Sequence, residues 1–249
     1  MIRTSLPHEF RPSPNIEPRK GGIGPDILLM HYTEMESAAK ACDWLCDRQS
    51  KVSCHYLVDE TGEIVQMVDE TMRAWHAGQS SWQGESDINS RSIGIEIQNP
   101  GARYGYRAFP ALQMRAVIAL SQDIVARNAI RPERVLAHSD VAPGRKIDPG
   151  ALFDWRVLHE EGIGHWVAPS PIEDGTGLKG GDSGPEVERL QKSLSAYGYG
   201  LPVTGVYDAR TATVVSAFQL HFRPVRVDGV ADRSTLDTLD RLITALPQQ

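Results

Sequence analysis

No two cysteines in this sequence form a C-x-x-C pair, and there are only three of them, Cys42, Cys46 and Cys54. That count excludes a disulfide framework and a thiolate zinc site, and the three thiols read as core residues. Cys42 and Cys46 stand four apart on one face of an expected helix, the single arrangement that leaves redox chemistry open. An excess of positive charge is missing too. The 249 residues carry a formal net charge of -6, with Lys and Arg scattered along the chain, which argues against a nucleic acid or an anionic membrane as partner. No apolar run approaches the roughly 20 residues of a membrane span, so a soluble protein is expected. Residues 1–20 hold four prolines and no apolar stretch of the kind a secretory signal needs, and they read as an irregular N-terminal arm. What the chain does have is 41% hydrophobic residues, enough for one medium domain and a small one.

Up to Trp166, short apolar runs alternate with helical spacing. Residues 27–31, 55–59, 63–68 and 92–98 read as strands, with Thr61 and Gly62 as a hairpin turn; residues 35–48 and 112–127 read as helices. Such alternation implies an α/β domain with a mixed central sheet flanked by helices. Residues 168–182 collect proline and glycine and read as a linker. Beyond it Val203, Gly205, Val206, Asp208 and Thr211 recur as Val227, Gly229, Val230, Asp232 and Thr235, at a period of 24 residues. Each copy is a turn feeding a helix, with Asp208 and Asp232 as N-caps. Ser183 and Glu186 suggest a capping box for a third helix bearing Val187, Leu190, Leu194 and Tyr197 on one face. The division expected is an arm (1–20), an α/β domain (21–167), a linker (168–182) and a small three-helix domain (183–249) whose apolar stripes are consumed in its own core.

Three segments carry chemistry. The apolar run from Ile27 ends in His31, an imidazole at a strand tip, where a lone histidine is more often a satisfied core residue than a ligand. Val135-Leu-Ala then delivers His138, and the chain returns through Lys146 and Asp148 before Pro149. Pro149 favours an extended Asp148, and residues two apart in an extended segment point the same way, so Lys146 and Asp148 can enter one site. Two imidazoles and one carboxylate suit Zn²⁺ with a fourth position open to water. The spacing is weak support, since no H-E-x-x-H links the histidines. In the third segment Ile93, Ile95 and Ile97 face one way while Gly94, Glu96 and Gln98 face the other. A glutamate there is either paired with an arginine or engaged in proton transfer.

The motifs Leu29-Met-His31-Tyr-Thr33, Val52-Ser-Cys-His55-Tyr56, Gly62-Glu-Ile-Val-Gln66, Arg73-Ala-Trp75-His76-Ala-Gly78, Ser92-Ile-Gly-Ile-Glu96, His138-Ser-Asp140 and Arg145-Lys-Ile-Asp148-Pro-Gly150 occur in that order. Together they resemble the zinc-dependent N-acetylmuramoyl-L-alanine amidases of the type-2 group, related in fold to peptidoglycan recognition proteins. The tail, with Gly184-Pro-Glu-Val, Leu190-Gln191, Thr204-Gly205 and Phe218-Gln219, is similar to small peptidoglycan-binding modules. The resemblance implies zinc held by His31, His138 and Asp148, proton handling by Glu96 and oxyanion stabilisation by Lys146. It implies cleavage of the amide between N-acetylmuramic acid and L-alanine in bacterial cell-wall degradation or recycling.

Trp75 and His76 are expected to line the substrate groove, with packing on the core as the alternative, and Asn99 and Arg107 to touch substrate. His55 reads as a structural histidine, because a fourth protein ligand would close the metal to water. His8, His159, His165 and His221 read as surface or packing residues. The rival function is a recognition protein that binds peptidoglycan without cutting it. A monomer is expected, placed in the bacterial envelope by its binding module or, alternatively, in the cytoplasm.

Overall fold

The structure, a computed structural model, describes residues 4–173 and 175–246; the outermost three residues of the arm and of the tail, and Asp174 of the linker stretch, lie outside the described residues. In chain order its elements begin with β1 (Glu9–Phe10), β2 (Ile16–Pro18), β3 (Ile27–Tyr32), α1 (Ala38–Leu45), β4 (Tyr56–Val58), β5 (Ile64–Gln66) and β6 (Met72–Ala74). They continue with α2 (Ile88–Arg91), β7 (Ser92–Ile97), α3 (Gly101–Tyr104), α4 (Ala111–Asn128), β8 (Val135–Ala137), α5 (His138–Val141) and α6 (Trp155–Glu160). The tail supplies α7 (Pro185–Tyr197), α8 (Ala209–Phe222) and α9 (Arg233–Thr244).

A six-stranded sheet runs β1-β5-β4-β7-β3-β8. β3 lies parallel to both β7 and β8, β4 is parallel to β7, and β4 and β5 form the antiparallel hairpin, so the sheet is mixed. The hairpin turn is set by Asp59, whose carboxylate accepts from the amides of Thr61 and Glu63 at 2.8 Å, while Gly62 takes a φ of 91°.

The arm is not irregular. β1 pairs parallel with β5, and β2 pairs antiparallel with β6 in a separate two-stranded sheet. These pairings use backbone groups at sheet edges and leave no side-chain periodicity to read. Arg19 fastens the end of the arm by donating to the carbonyls of Glu70, Asn89 and Ser90.

The two faces of β3 are both buried, as its unbroken apolar run requires. Leu28, Met30 and Tyr32 join Ile93, Ile95 and Ile97 in a core covered by Val117, Leu120 and Ile124 of α4. Ile27 and Leu29 point to the other face, where the core continues without interruption through Trp82 into Leu190, Leu194, Val215 and Phe218 of the tail. The tail's apolar stripes are therefore shared with the sheet and not consumed within the tail. A helical stripe says that a face is buried, not against what. Trp82 is fully buried edge-on to Tyr197 and Tyr199, and a Cβ on Gly198 would stand 2.4 Å from its ring, so that position needs glycine.

Within the tail, Asp208 and Asp232 cap α8 and α9 by accepting from the amides of Thr211 and Thr235 at 2.8 Å. The repeated turns are held from behind: Gln191 accepts from the amides of Thr204 and Gly205, and Gln219 from those of Asp228 and Gly229. Ser183 does not cap α7. That helix starts at Pro185 behind Gly184, with no side-chain cap, because Pro185 lacks an N–H and sits well at a helix start, and Ser183 pairs instead with the backbone of Val206.

Candidate active site

β3, β7 and β8 run parallel, so their carboxyl ends share one edge of the sheet, where open α/β sheets hold their ligands. His31 is next to last in β3, Glu96 is its register partner in β7, and His138 follows β8 directly as the first residue of α5. The return loop brings back Asp148, and the amide of Ser139 donates to the Asp148 carbonyl at 3.0 Å, tying the two segments together.

Three buried atoms meet here: His31 Nδ1 and His138 Nδ1 at 2.9 Å, with Asp148 Oδ2 at 3.2 and 3.0 Å from them. The surrounding hydrogen bonds settle which nitrogens carry protons. Ser92 spends its hydroxyl proton on the Ile88 carbonyl at 2.7 Å, so its oxygen accepts from His76 Nε2 at 3.3 Å. His76 Nδ1 is then an acceptor and takes the Nε2 proton of His31 at 2.9 Å. On the other side His138 Nε2 lies 3.1 Å from the Ala77 carbonyl, which can only accept, and the donating Arg145 guanidinium stands further off at 3.4 Å, so the nearer partner assigns the proton to Nε2. Both Nδ1 atoms are left as lone pairs pointing at each other and at a carboxylate. Three electron-rich atoms so arranged call for a cation, and the set of two imidazoles and a carboxylate fits Zn²⁺; outer partners that fix the ligands' tautomers are a usual feature of such sites.

Electrostatics agree. Burial, reinforced by neighbouring His138, pushes His31 down to about 4, and burial with His31 beside it holds His76 well below the usual imidazole range, so both are neutral near pH 7. Burial works against ionisation of Asp148, but His138 and His31 outweigh it and hold the carboxyl below its usual range. Glu96 goes the other way: burial and the negative charge of Asp148 push it well above the ordinary carboxyl value, with Lys146 opposing. Gly94 makes room for the arrangement, since a Cβ there would stand 2.6 Å from His76 Nδ1.

The cluster opens into a cavity of about 430 Å³ lined by Trp75, Glu96, Arg145 and Lys146 among others. Glu96 Oε2 and Trp75 Nε1 are buried there without a hydrogen-bond partner among the described residues, free to meet a ligand. His76 reaches the cavity and also stands behind His31. Asn99 is not brought to it. Its amide donates to the Arg107 carbonyl and its oxygen accepts from Gly101, closing the turn after β7, while Arg107 reaches out to Glu60. His55 accepts from the Gly94 amide and faces the Met72 carbonyl, a packing role. Arg145 lines the cavity as well, donating to the carbonyls of Gln79 and Ala77. The motif that contains it was visible in the sequence, but nothing in the spacing assigned it a place.

Comparison with known proteins agrees with this geometry. Residues 21–151 match the N-acetylmuramoyl-L-alanine amidase family and residues 183–239 match a putative peptidoglycan binding domain. The N-acetylmuramoyl-L-alanine amidase AmiD of Escherichia coli (strain K12) is 36% identical over 230 residues, 87% of this chain and 82% of AmiD. A solved complex of E. coli AmiD with the substrate anhydro-N-acetylmuramic acid-L-Ala-D-gamma-Glu-L-Lys superposes with a TM-score of 0.76 at 35% identity, covering 92% of this chain and 93% of that one. AMPDH3 from Pseudomonas aeruginosa, solved with anhydromuramic pentapeptide, gives a TM-score of 0.74 at 30% identity over 92% and 96% of the two chains. With a family model matching residues 21–151 and a relative 36% identical over 82% of its own length, the chain belongs to the N-acetylmuramoyl-L-alanine amidase family, as a hydrolase and not as a recognition protein without catalysis.

Proposed function

We propose that this chain hydrolyses the amide between the lactyl group of N-acetylmuramic acid and L-alanine, in peptidoglycan or its anhydromuramyl fragments, with zinc held by His31, His138 and Asp148. The observation that carries the reading is the triangle of His31 Nδ1, His138 Nδ1 and Asp148 Oδ2 at the floor of a cavity that also holds Glu96 and Lys146. Bound zinc would supply Lewis-acid polarisation of the scissile carbonyl and make water acidic near neutral pH.

The protein does the rest. Glu96, with its raised proton affinity, takes a proton from the attacking water as the new C–O bond forms and returns it to the alanine nitrogen as the C–N bond breaks. The Lys146 ammonium favours the negative charge that builds on the carbonyl oxygen. Trp75 offers its unpartnered Nε1 to the sugar or peptide. Residues 21–167 carry this chemistry, residues 168–182 connect, and residues 183–249 bind the polymer. The protein works as a monomer in the bacterial envelope, where the polymer is; trimming of wall fragments in the cytoplasm is the alternative supported by the anhydromuramyl ligands of its relatives. Among the described residues no helix is long and apolar enough to cross a membrane.

The test is hydrolysis of a muramoyl-peptide by purified protein before chelation, after it, and after zinc add-back, followed by mass spectrometry. Release of free stem peptide that stops with chelator and returns with zinc supports the reading. Release that ignores the chelator overturns the metal assignment, and no release at all overturns the substrate.

A further inference from the structure

One buried carboxylate beside the metal cluster takes no part in the chemistry above. Asp140 is fully buried on α5, the four-residue helix that His138 opens. Its Oδ2 accepts at 2.8 Å from the amide of Ala137, the residue just before His138. The same carboxylate accepts from the Tyr199 hydroxyl at 2.7 Å and from His221 Nδ1 at 2.6 Å. Both donors come from the tail, Tyr199 just after α7 and His221 within α8. The His221 ring is clamped between Trp155 and Phe222, with centroids 3.8 and 3.9 Å away. The link between Ser139 and Asp148 then passes any movement of α5 to the other ligand segment. Further along the loop, a Cβ on Gly144 would stand 2.6 Å from Thr213 of α8, so α8 backs this segment as well.

We propose that the tail is a positioning element of the metal site: Tyr199 and His221 hold Asp140, and Asp140 holds the start of α5 so that His138 meets His31 and Asp148. This rests on the ligand set proposed above and goes beyond polymer binding, because it gives the tail a role in catalysis on substrates too small to reach it. Removing the Tyr199 hydroxyl leaves Oδ1 without a partner, and removing the His221 donor leaves Oδ2 with the Ala137 amide alone. In either case an under-satisfied buried carboxylate pulls on the start of α5 until water or another donor reaches it. Groups that orient metal ligands from behind cost about 10- to 100-fold in metal affinity when removed.

Two full-length variants separate the hydrogen bond from packing. His221→Phe keeps the stacked ring and loses the donor; His221→Asn loses the ring and keeps a donor near the Nδ1 position. The measurements are the zinc dissociation constant by chelator competition, kcat/KM on a soluble anhydromuramyl-tripeptide, and sedimentation with insoluble peptidoglycan. His221→Phe should bind zinc about 10- to 100-fold more weakly and lose kcat/KM in step, with sedimentation unchanged. His221→Asn should melt earlier yet bind zinc near the wild-type value. Wild-type zinc affinity in His221→Phe overturns the proposal, as does equal weakening in both variants. Should His221→Phe not fold, Tyr199→Phe, which removes one hydroxyl, is read the same way. Wild-type protein that takes up no stoichiometric zinc would instead remove the ligand set, and the proposal with it.

Discussion

The two faces of the central sheet are covered by different means. On one, Leu28, Met30 and Ile95 pack under α4, a helix from the same half of the chain. On the other, Ile27, Leu29 and Leu136 belong to a core that runs on through α5 and Trp82 into helices that arrive more than 150 residues after β3. His31 and Glu96 share this second face, because β3 and β7 alternate and Leu29 pairs with Gly94 as His31 pairs with Glu96. The α4 face is a core that supplies none of the proposed metal ligands, though its Tyr32 borders the cavity and its Trp155 stacks on His221. The tail face is a core whose far end becomes the active site, so packing errors there reach the chemistry.

The largest effect should come from removing that second cover. A chain ending at residue 167 strips the tail from Trp82 and from the α5 side of the shared core, where each large side chain is worth about 1.5–3 kcal/mol when buried, so that a few of them amount to a sizeable part of a domain's stability. It should lose cooperative melting in calorimetry and bind a hydrophobic dye; an intact, cooperative truncation would show that the faces are independent. Next, His138→Ala should lose stoichiometric zinc, whereas Glu96→Ala should keep it while turnover falls about 10²- to 10⁴-fold; metal analysis beside the peptide-release assay checks both. One step smaller, Leu120→Ala on the α4 face and Phe218→Ala on the tail face should each cost about 2–5 kcal/mol, but only the second should also weaken zinc binding, as read by denaturant melts and chelator competition.

The smallest effect concerns acid. Burial opposes ionisation of Asp123 and of Asp232, but Arg127 outweighs it for the first, and the Thr235 amide with Arg226 for the second, and both carboxyls sit below their usual range. A depressed folded value gives stability that is present above the unfolded carboxyl range and lost as pH falls through the folded one. His31 and His76, buried and held below the ordinary imidazole range, cost stability as pH falls below about 6.5, and the two carboxylates add their loss below about 4. The melting temperature should therefore begin to fall near the first value and drop more steeply past the second. One carboxylate lies in each half of the chain, and a shared core predicts a single transition throughout. Two separate acid transitions would break the picture of a tail built into the catalytic half.

Much of this was legible in the residues. The strand runs, the two repeated turns and the caps at Asp208 and Asp232 follow from local backbone preferences, which act over a few residues whatever surrounds them. His31, His138, Asp148, Glu96 and Lys146 could be marked from strand-end positions and motif order, and all five line one cavity. Asn99 was misleading because a polar residue just past a strand serves a turn as readily as a ligand. His221 was passed over because nothing near it in sequence reveals Asp140, 81 positions away.

The sequence by itself determined the long strands and helices of the sheet and tail, and which side chains have the chemistry to hold a metal and move a proton, because those properties belong to short stretches and single residues. Only the tertiary structure decided that β1 and β2 join sheet edges, that His76 stands behind His31, and that the tail seals the face on which the site is built. Those depend on contacts between residues distant in the chain, and such contacts are fixed by which buried surfaces and unsatisfied polar groups find each other when the whole molecule packs.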